Sequence, residues 1–391
     1  MIDNISPEQY RAELSYMNHE IAQLREEAQR RDTLNKYNPF DNPTEYPDYN
    51  GDYSKILPQV TEQGCKIPIS PNGKEKKAIR KYYNIAGLCV ILSSIASTLI
   101  MLIFIAISNG ILKFSNPDAD YSIISAYESS TSISMALNLI TFLICNCGFA
   151  FLGLSIAKIK PSELIKTHDF TAVNAVQYCF IGLFLQSVAG YISLGISDIV
   201  EQYGYTVYSV DDAFESNFLT GKLVTIVYAC IVAPITEELF YRGMLLKLFS
   251  KANQRFGIII TAIFFGLGHG NIAQFALGFI AGIFLAHITQ KHNSIIPSIL
   301  CHMTINTFST IVTEFSTDGY STANMIINFL YIIITLAGLV MFIEFRLKNK
   351  LPATTPQQSR RGFAVAVTSI PTVIAAAGFM GMMIFNIVMV S

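Results

Sequence analysis

The chain contains no tryptophan, and only 14% of its 391 residues are charged. An ordinary soluble domain carries about a quarter charged residues, so this composition excludes a typical soluble protein. The shortage of charge is concentrated after Lys81, where apolar runs recur with lengths near the roughly 20 residues that a helix needs to cross a bilayer. The sequence therefore predicts an all-α, polytopic membrane helix bundle.

Signatures of several other protein classes are missing. Residues 1–30 are polar and charged, which argues against an N-terminal secretory signal. The sequence lacks the His-Glu-x-x-His motif of zincin metalloproteases and the Gly-x-Ser-x-Gly elbow of serine hydrolases. Most of the seven cysteines lie in apolar runs, where a cysteine usually acts as a small hydrophobe, and no disulfide framework is visible.

The chain begins with a polar segment that precedes the apolar runs. Ser6-Pro7-Glu8-Gln9 is typical of a helix start, and apolar residues then recur every three or four positions from Tyr10 to Leu24. This seam suits a short coiled coil with a protein partner or, equally, a surface helix packed on its own protein. The predicted units are a cytoplasmic amphipathic helix (1–35), an irregular linker with a basic end (36–82), three N-terminal spans (83–215), a central core (216–313) and two C-terminal spans (314–391).

About nine membrane spans are predicted. Basic loops alternate with non-basic loops, and because cytoplasmic loops are enriched in positive charge, we expect a cytoplasmic N-terminus. The absence of tryptophan, with many isoleucines and asparagines, favours a bacterial cell membrane. The nine spans cover residues 84–108, 131–156, 172–196, 220–242, 257–273, 274–290, 294–314, 323–345 and 364–389.

Two adjacent carboxylates, Glu237 and Glu238, lie in the fourth span together with Arg242. A charged residue at the centre of a membrane helix costs about 2.5–3.5 kcal/mol, so this group indicates a function. Glu238 and Arg242 are four residues apart and face one another in a helix; that ion pair could be the whole role of Glu238. Glu237 points elsewhere and is the candidate general base. Pro234 should kink this helix and free backbone carbonyls.

Two histidines in later spans supply further candidates. His269 follows Phe265 by four residues in a glycine-rich segment, and it could instead be a histidine at a helix end in contact with interfacial water. His302 and Asn306 are four residues apart and share one helix face, where they could bind an oxyanion or a water. They could equally be a polar pair that holds helices together.

Glu237-Glu238-x-x-x-Arg242, Phe265-x-x-x-His269 and His302-x-x-x-Asn306, in this order, resemble the three motifs of the CPBP family. This family comprises the type II CAAX prenyl endopeptidases and their bacteriocin-processing and immunity relatives. The resemblance covers roughly residues 216–313 and implies an intramembrane glutamate endopeptidase. It implies that Glu237 activates water, that His269 assists, and that His302 and Asn306 stabilise the tetrahedral intermediate. Glu238 and Arg242 would orient the site, with Phe265 in a supporting position.

The leading hypothesis is therefore an endopeptidase, a hydrolase of a membrane-associated, lipidated or secreted peptide, with no cofactor. A variant of this hypothesis has Zn²⁺ bound by Glu237, His269 and His302, since two histidines and a carboxylate are adequate zinc ligands. A non-catalytic immunity or scaffold protein of the same fold and a proton-coupled transporter are the two rival hypotheses. Catalysis requires the fourth helix to continue past Pro234, so that Glu237 lies deep enough to meet the histidines. The expected partners are the bilayer, a peptide or membrane-anchored substrate and, through the N-terminal helix, a protein; no nucleic acid is expected.

Overall fold

A computed structural model describes residues 73–117, 137, 139–167, 170–207, 223–224, 226–316, 322–349 and 362–389, with a few positions between 8 and 26. The predicted linker up to residue 72 lies outside the described residues. So does the predicted seam from Tyr10 to Leu24, apart from short stretches that include Ile21. The protein partner expected for this helix therefore stays a prediction.

The protein is a helical bundle, as predicted. Five helices are long and apolar enough to cross a membrane, and shorter apolar helices accompany them. Each predicted span overlaps a helical segment, which confirms a polytopic membrane protein. The segments are α1 (Gly73–Ser115), π1 (Leu143–Cys147), α2 (Gly148–Ile156), α3 (Ala172–Gln202), π2 (Tyr228–Val232), α4 (Ala233–Glu237), π3 (Glu238–Leu245), α5 (Leu246–Phe249), α6 (Gln254–Gly268), α7 (Ile272–His292), α8 (Ile296–Ser316), α9 (Thr322–Lys348) and α10 (Ile370–Phe385).

Two short features depart from the predicted outline. Helix α1 begins at Gly73, inside the segment predicted to be linker, because lysine and glutamate at positions 74–77 are good helix formers. Strands β1 (Tyr205–Val207) and β2 (Ile387–Met389) pair antiparallel and are the strands found in the described part of the chain. This small sheet ties the end of α3 to the end of α10.

Helices α6 and α7 form a tight antiparallel hairpin that carries His269 at its turn. Asn271 begins α7, and its side chain accepts hydrogen bonds from the backbone N–H groups of Ala273 and Gln274. Gly270 adopts a φ of 65°, a left-handed conformation that glycine tolerates without strain. The chain can therefore reverse within three residues of the end of α6.

Small residues bring α6 and α7 into close contact. A Cβ added to Gly278 would lie 2.8 Å from the Cα of Gly266, and one added to Gly282 would lie 3.1 Å from Ala262. The Gly278-x-x-x-Gly282 pair thus allows close helix packing. This close approach fixes α6, and with it His269, against α7.

The C-terminal helix α10 packs on α1 and also reaches α6. The hydroxyl of Thr372 donates to the backbone carbonyl of Tyr83, and the hydroxyl of Ser369 donates to the side chain of Asn84. Phe379, near the middle of α10, packs edge-on against Phe264 of α6, with ring centroids 6.2 Å apart. The last described span therefore supports the helix that ends at His269.

Candidate active site

The helix that carries the two glutamates runs past Pro234 and changes its winding on both sides of it. A π-helical turn, π2, precedes Pro234, α4 contains it, and π3 begins at Glu238. Proline lacks an N–H group, so a backbone carbonyl one turn earlier has no helical donor. The chain nevertheless remains helical to Phe249, as the catalytic interpretation requires.

Asn306 supplies the donor that Pro234 cannot. In π2 the N–H of Ala233 bonds to the carbonyl five residues earlier, at Tyr228. In the same register Pro234 would bond to Ala229, and the side-chain amide of Asn306 donates to that carbonyl at 2.8 Å instead. One of the two amide N–H bonds of Asn306 is used in this way, and the other remains for a further acceptor.

Glu238 and Arg242 form the ion pair that their spacing predicts. The Arg242 Nη1 atom donates to Glu238 Oε1 at 2.8 Å, and both side chains are fully buried. The guanidinium carbon lies 4.1 Å from the centroid of the Phe265 ring, which gives the cation an aromatic face as a second neighbour. A buried pair of this kind holds each partner in a single geometry.

Glu238 also binds His302, so the ion pair with Arg242 is not its whole role. His302 Nδ1 lies 2.9 Å from Glu238 Oε1, on a helix 64 residues away in sequence. An ionised carboxylate can only accept hydrogen bonds, so Nδ1 carries the proton and donates it. Glu238 thereby fixes the orientation of the imidazole and leaves Nε2 facing the other glutamate.

Glu237 is that other glutamate. Its Oε2 atom lies 3.9 Å from His302 Nε2, and its side chain keeps 16% exposure while Glu238 keeps none. A distance of 3.9 Å is too long for a direct hydrogen bond, but one water about 2.8 Å from each atom would bridge them. Glu237 therefore lies deep enough in the bundle to share a water with His302, as the catalytic hypothesis requires.

His269 is held by its own helix. Its Nδ1 atom lies 2.8 Å from the carbonyl of Phe265, which accepts the Nδ1 proton and leaves Nε2 without it. The Phe265 ring stands between the two histidines, with centroids 5.0 Å from His269 and 5.6 Å from His302, and both contacts are edge-on. Phe265 thus contacts Arg242 and both imidazoles at once.

The structure brings together most of the residues predicted from the sequence. Glu237, Glu238, Arg242 and Phe265 surround His302, and His269 joins them across the Phe265 ring. Asn306 lies one turn along α8 from His302, and one of its amide N–H groups donates to the carbonyl of Ala229. The described residues contain no group of three His, Cys, Asp or Glu side chains placed to share a metal ion.

Comparison with known proteins agrees with this geometry. The family model of the type II CAAX prenyl endopeptidase Rce1-like proteins matches residues 219–308, which include every predicted site residue. The predicted resemblance is thereby confirmed. Residues 219–308 are thus similar in sequence to the CPBP family.

One curated protein similar to this chain is "Putative membrane peptidase YdiL" of Bacillus subtilis (strain 168), which is 26% identical over 165 residues. These residues make up 41% of this chain and 65% of the relative, so the match spans slightly less than two thirds of the relative's length. No solved structure matches the chain. The spans before residue 219 and after residue 308 lie outside the family match.

Two residues at the candidate site were not assigned a role from the sequence. Tyr241 packs its ring edge-on against Phe265, with centroids 5.0 Å apart. Asn386, beyond the family match, donates its side-chain amide to the carbonyl of Gly270 at 2.7 Å. The spacing of Tyr241 from Glu237 could have revealed the first, because residues four apart share a helix face. No local pattern points to the second.

Proposed function

We propose that the protein is an intramembrane endopeptidase in which Glu237 activates water to hydrolyse a peptide bond. The observation that carries this proposal is the position of His302 between two glutamates, with Nδ1 on Glu238 and Nε2 beside Glu237. Glu238 is buried and occupied by Arg242 and His302, whereas Glu237 retains exposed surface. Glu238 thus orients the His302 imidazole, and Glu237 is left to react with water.

The proposed reaction begins with a water between Glu237 and His302. Glu237 accepts a proton from this water, and the water oxygen attacks the carbonyl carbon of the scissile bond, whose electron pair moves to its oxygen. The second amide N–H of Asn306 stabilises that oxyanion, while the unprotonated Nε2 of His302 accepts a hydrogen bond from the attacking water. The intermediate then collapses, the C–N bond breaks, and the proton held by Glu237 passes to the leaving nitrogen. His269, whose Nε2 is free of its own helix, assists the proton transfers.

Burial of the site favours this chemistry. Fixed hydrogen-bond donors are worth more in a medium of low dielectric constant, and they need no reorganisation when charge develops. Removing one such donor in other enzymes costs about a hundredfold to a thousandfold in kcat. The catalysis proposed here gives a reason for the presence of Glu237, Glu238 and Arg242 in a membrane span, where ionisable residues are rare and usually functional.

The substrate class follows from the family and the site. We propose a membrane-associated peptide, either lipidated at its C-terminus or secreted, since the family model is that of CAAX prenyl endopeptidases. We also propose a bacterial cell membrane with a cytoplasmic N-terminus. The clustering of basic residues supports this orientation: Lys166 and Lys251 each lie within electrostatic range of Lys247, and Lys291 and Arg346 each lie within electrostatic range of His287.

A reconstituted full-length protein tests the proposal. It would be presented with a library of synthetic peptides, each with and without a C-terminal prenyl group, and the products would be analysed by mass spectrometry. We expect Glu237→Gln and His302→Ala to lose about a hundredfold or more in rate, because a general base contributes typically 10²–10⁴-fold. Glu344→Gln, a change to an exposed glutamate on α9, should leave the rate unchanged.

Three results would redirect the assignment. Cleavage at the wild-type rate by both site variants would overturn the proposal. Absence of cleavage by the wild type across the library would favour a non-catalytic immunity or scaffold protein. Activity that is lost to a chelator and restored by zinc would replace the metal-free reaction with one that uses Zn²⁺ on Glu237, His269 and His302.

A further inference from the structure

Tyr241 stands in the same relation to Glu237 as Arg242 does to Glu238. Each follows its glutamate by four residues, so each shares a helix face with it. The Tyr241 phenol lies within electrostatic range of the Glu237 carboxylate and of the Arg242 guanidinium. Glu237 therefore has a neutral hydrogen-bond donor as its neighbour where Glu238 has a cation.

The Tyr241 hydroxyl lies at the junction between π3 and the turn that carries His269. A Cβ built on Gly268 would be 2.3 Å from the Tyr241 Oη atom and 3.4 Å from Cζ. The hydroxyl therefore sits directly against the backbone of the residue that precedes His269, where only a glycine leaves room for it. The edge-on contact of the ring with Phe265 fixes its direction.

This hydroxyl has no hydrogen-bond partner among the residues that the structure describes. Other tyrosines inside the bundle are bonded: Tyr83 donates to the carbonyl of Phe249, Tyr178 pairs with His292, and the Tyr331 hydroxyl pairs with Ser187. The Tyr241 side chain is only partly buried, so its hydroxyl is open to water or to a group of the substrate. The Tyr241 hydroxyl is thus a hydrogen-bond donor that a substrate can use near the Glu237 carboxylate.

We propose that the Tyr241 hydroxyl donates a hydrogen bond to the carbonyl oxygen of the scissile peptide bond, and is a further catalytic residue of the site. The inference rests on the proposed endopeptidase function and deepens it. Asn306 already donates one amide N–H to Ala229, which leaves it a single N–H for the oxyanion. The Tyr241 hydroxyl, held against Gly268 beside the turn that carries His269, can supply a second donor.

The decisive variant is Tyr241→Phe, which removes one oxygen and keeps the ring. It would be assayed in bilayers on a peptide that the wild type cleaves and Glu237→Gln does not. We expect kcat to fall by about tenfold to a thousandfold with KM little changed, since the bond is made in the transition state. Tyr331→Phe, which removes a hydroxyl from α9 outside the site, is the matched control and should keep the wild-type kcat.

The pH dependence of kcat distinguishes a hydrogen bond from Tyr241 to the substrate carbonyl from a hydrogen bond to Glu237. If the hydroxyl instead donates to the Glu237 carboxylate, its removal would take a hydrogen bond from the ionised base and shift the acidic limb of the kcat profile to higher pH. An unchanged acidic limb with a reduced kcat supports the proposal. A shifted limb, or an unchanged kcat, overturns it while leaving the endopeptidase function in place.

A second pair of variants checks the position of the hydroxyl without any substrate. Gly268→Ala would place a methyl group against Oη in the wild type, whereas in Tyr241→Phe the nearest ring atom is 3.4 Å away. We therefore expect Gly268→Ala to lower the thermal stability of the wild type more than that of Tyr241→Phe. Equal losses in both backgrounds would show that the hydroxyl does not occupy this place.

Discussion

The side-chain amide of Asn306 donates to the backbone carbonyl of Ala229 at 2.8 Å, across a sequence separation of 77 residues. Pro234 interrupts the helix that bears both glutamates, and this bond takes the place of the one that the proline cannot make. The position of the candidate base thus depends on a contact from the helix that carries His302.

The first prediction concerns this contact. Asn306→Ala leaves the part-buried Ala229 carbonyl without its donor, and a typical hydrogen bond contributes about 0.5–1.5 kcal/mol. We expect a lower apparent melting temperature in detergent and lower peptidase activity. Asn328→Ala removes an amide of the same kind that bonds to Asn324 at an exposed position, and it should change neither quantity. Equal stability of the two variants would contradict the role assigned to Asn306.

The second prediction compares two glutamate–cation pairs with the same spacing. Arg242→Ala leaves Glu238 charged and fully buried, and breaking a buried pair in this way costs about 3–5 kcal/mol. Lys348→Ala breaks an exposed pair with Glu344, and such pairs are worth about 0–1 kcal/mol. Thermal unfolding of both variants measures the difference. Similar losses would mean that Glu238 is not isolated from water.

The third prediction uses the contact between α6 and α7. A Cβ at Gly278 would lie 2.8 Å from the Cα of Gly266 and 3.2 Å from His269 Nδ1, so Gly278→Ala must push the two helices apart. Overpacking of this kind costs about 1–3 kcal/mol, and we expect activity to fall with stability. Gly190→Ala, in α3, meets nothing within 4 Å and should be neutral or stabilising. Full activity of Gly278→Ala would argue that His269 is not held by this contact.

Local patterns in the sequence predicted the apolar spans, the Glu238–Arg242 pair and the three motifs, because each depends on residues within one turn or one helix. The sequence did not reveal the bond between Glu238 and His302, the π-helical turns, or the donation from Asn306 to Ala229. These features depend on which helices become neighbours, and spacing along one helix carries no such information. The prediction of nine spans likewise did not indicate that α10 and Asn386 would contact α6 and the turn at His269.

The fourth prediction concerns that support. Asn386→Ala removes the hydrogen bond to the Gly270 carbonyl, and a typical bond of this kind contributes about 0.5–1.5 kcal/mol. We expect faster hydrogen exchange at residues 269–271 and a reduced kcat. Asn349→Ala, which loses a similar bond to the carbonyl of Phe345 at the other end of the bundle, is the control. If exchange at the turn is the same in both variants, Asn386 does not hold it.

The fifth prediction concerns Lys251, in the loop between α5 and α6. Burial lowers the pKa of Lys251 from its usual value of 10.5 to about 8, although Glu163 acts in the opposite direction and Tyr82 covers the ammonium group. Between these two values the unfolded chain holds a proton that the folded protein has released. The free energy of unfolding should therefore rise as the pH increases from about 8 to 10.5.

Lys251→Met should flatten this part of the stability curve, and the difference between the curves of wild type and variant isolates the contribution of Lys251. Lys160→Met, at an exposed position, should leave the curve as it is in the wild type. A wild-type stability that falls over this pH window, or a variant that keeps the wild-type slope, would refute the assignment.

Helix α6 has 15 residues and ends at His269. At 1.5 Å per residue it is about 22 Å long, which is shorter than the roughly 30 Å of hydrocarbon in a bilayer. If α6 begins at one membrane surface, the turn that follows it would leave a recess below the other surface, with Asn386 bonded to the carbonyl of Gly270 in that turn. A peptide that enters this recess as a helix would keep its carbonyl groups tied to its own N–H groups, out of reach of the water beside Glu237. The proposed cleavage therefore selects for stretches that unwind readily, and its substrates should be recognised as much by how easily their helix opens as by their side chains.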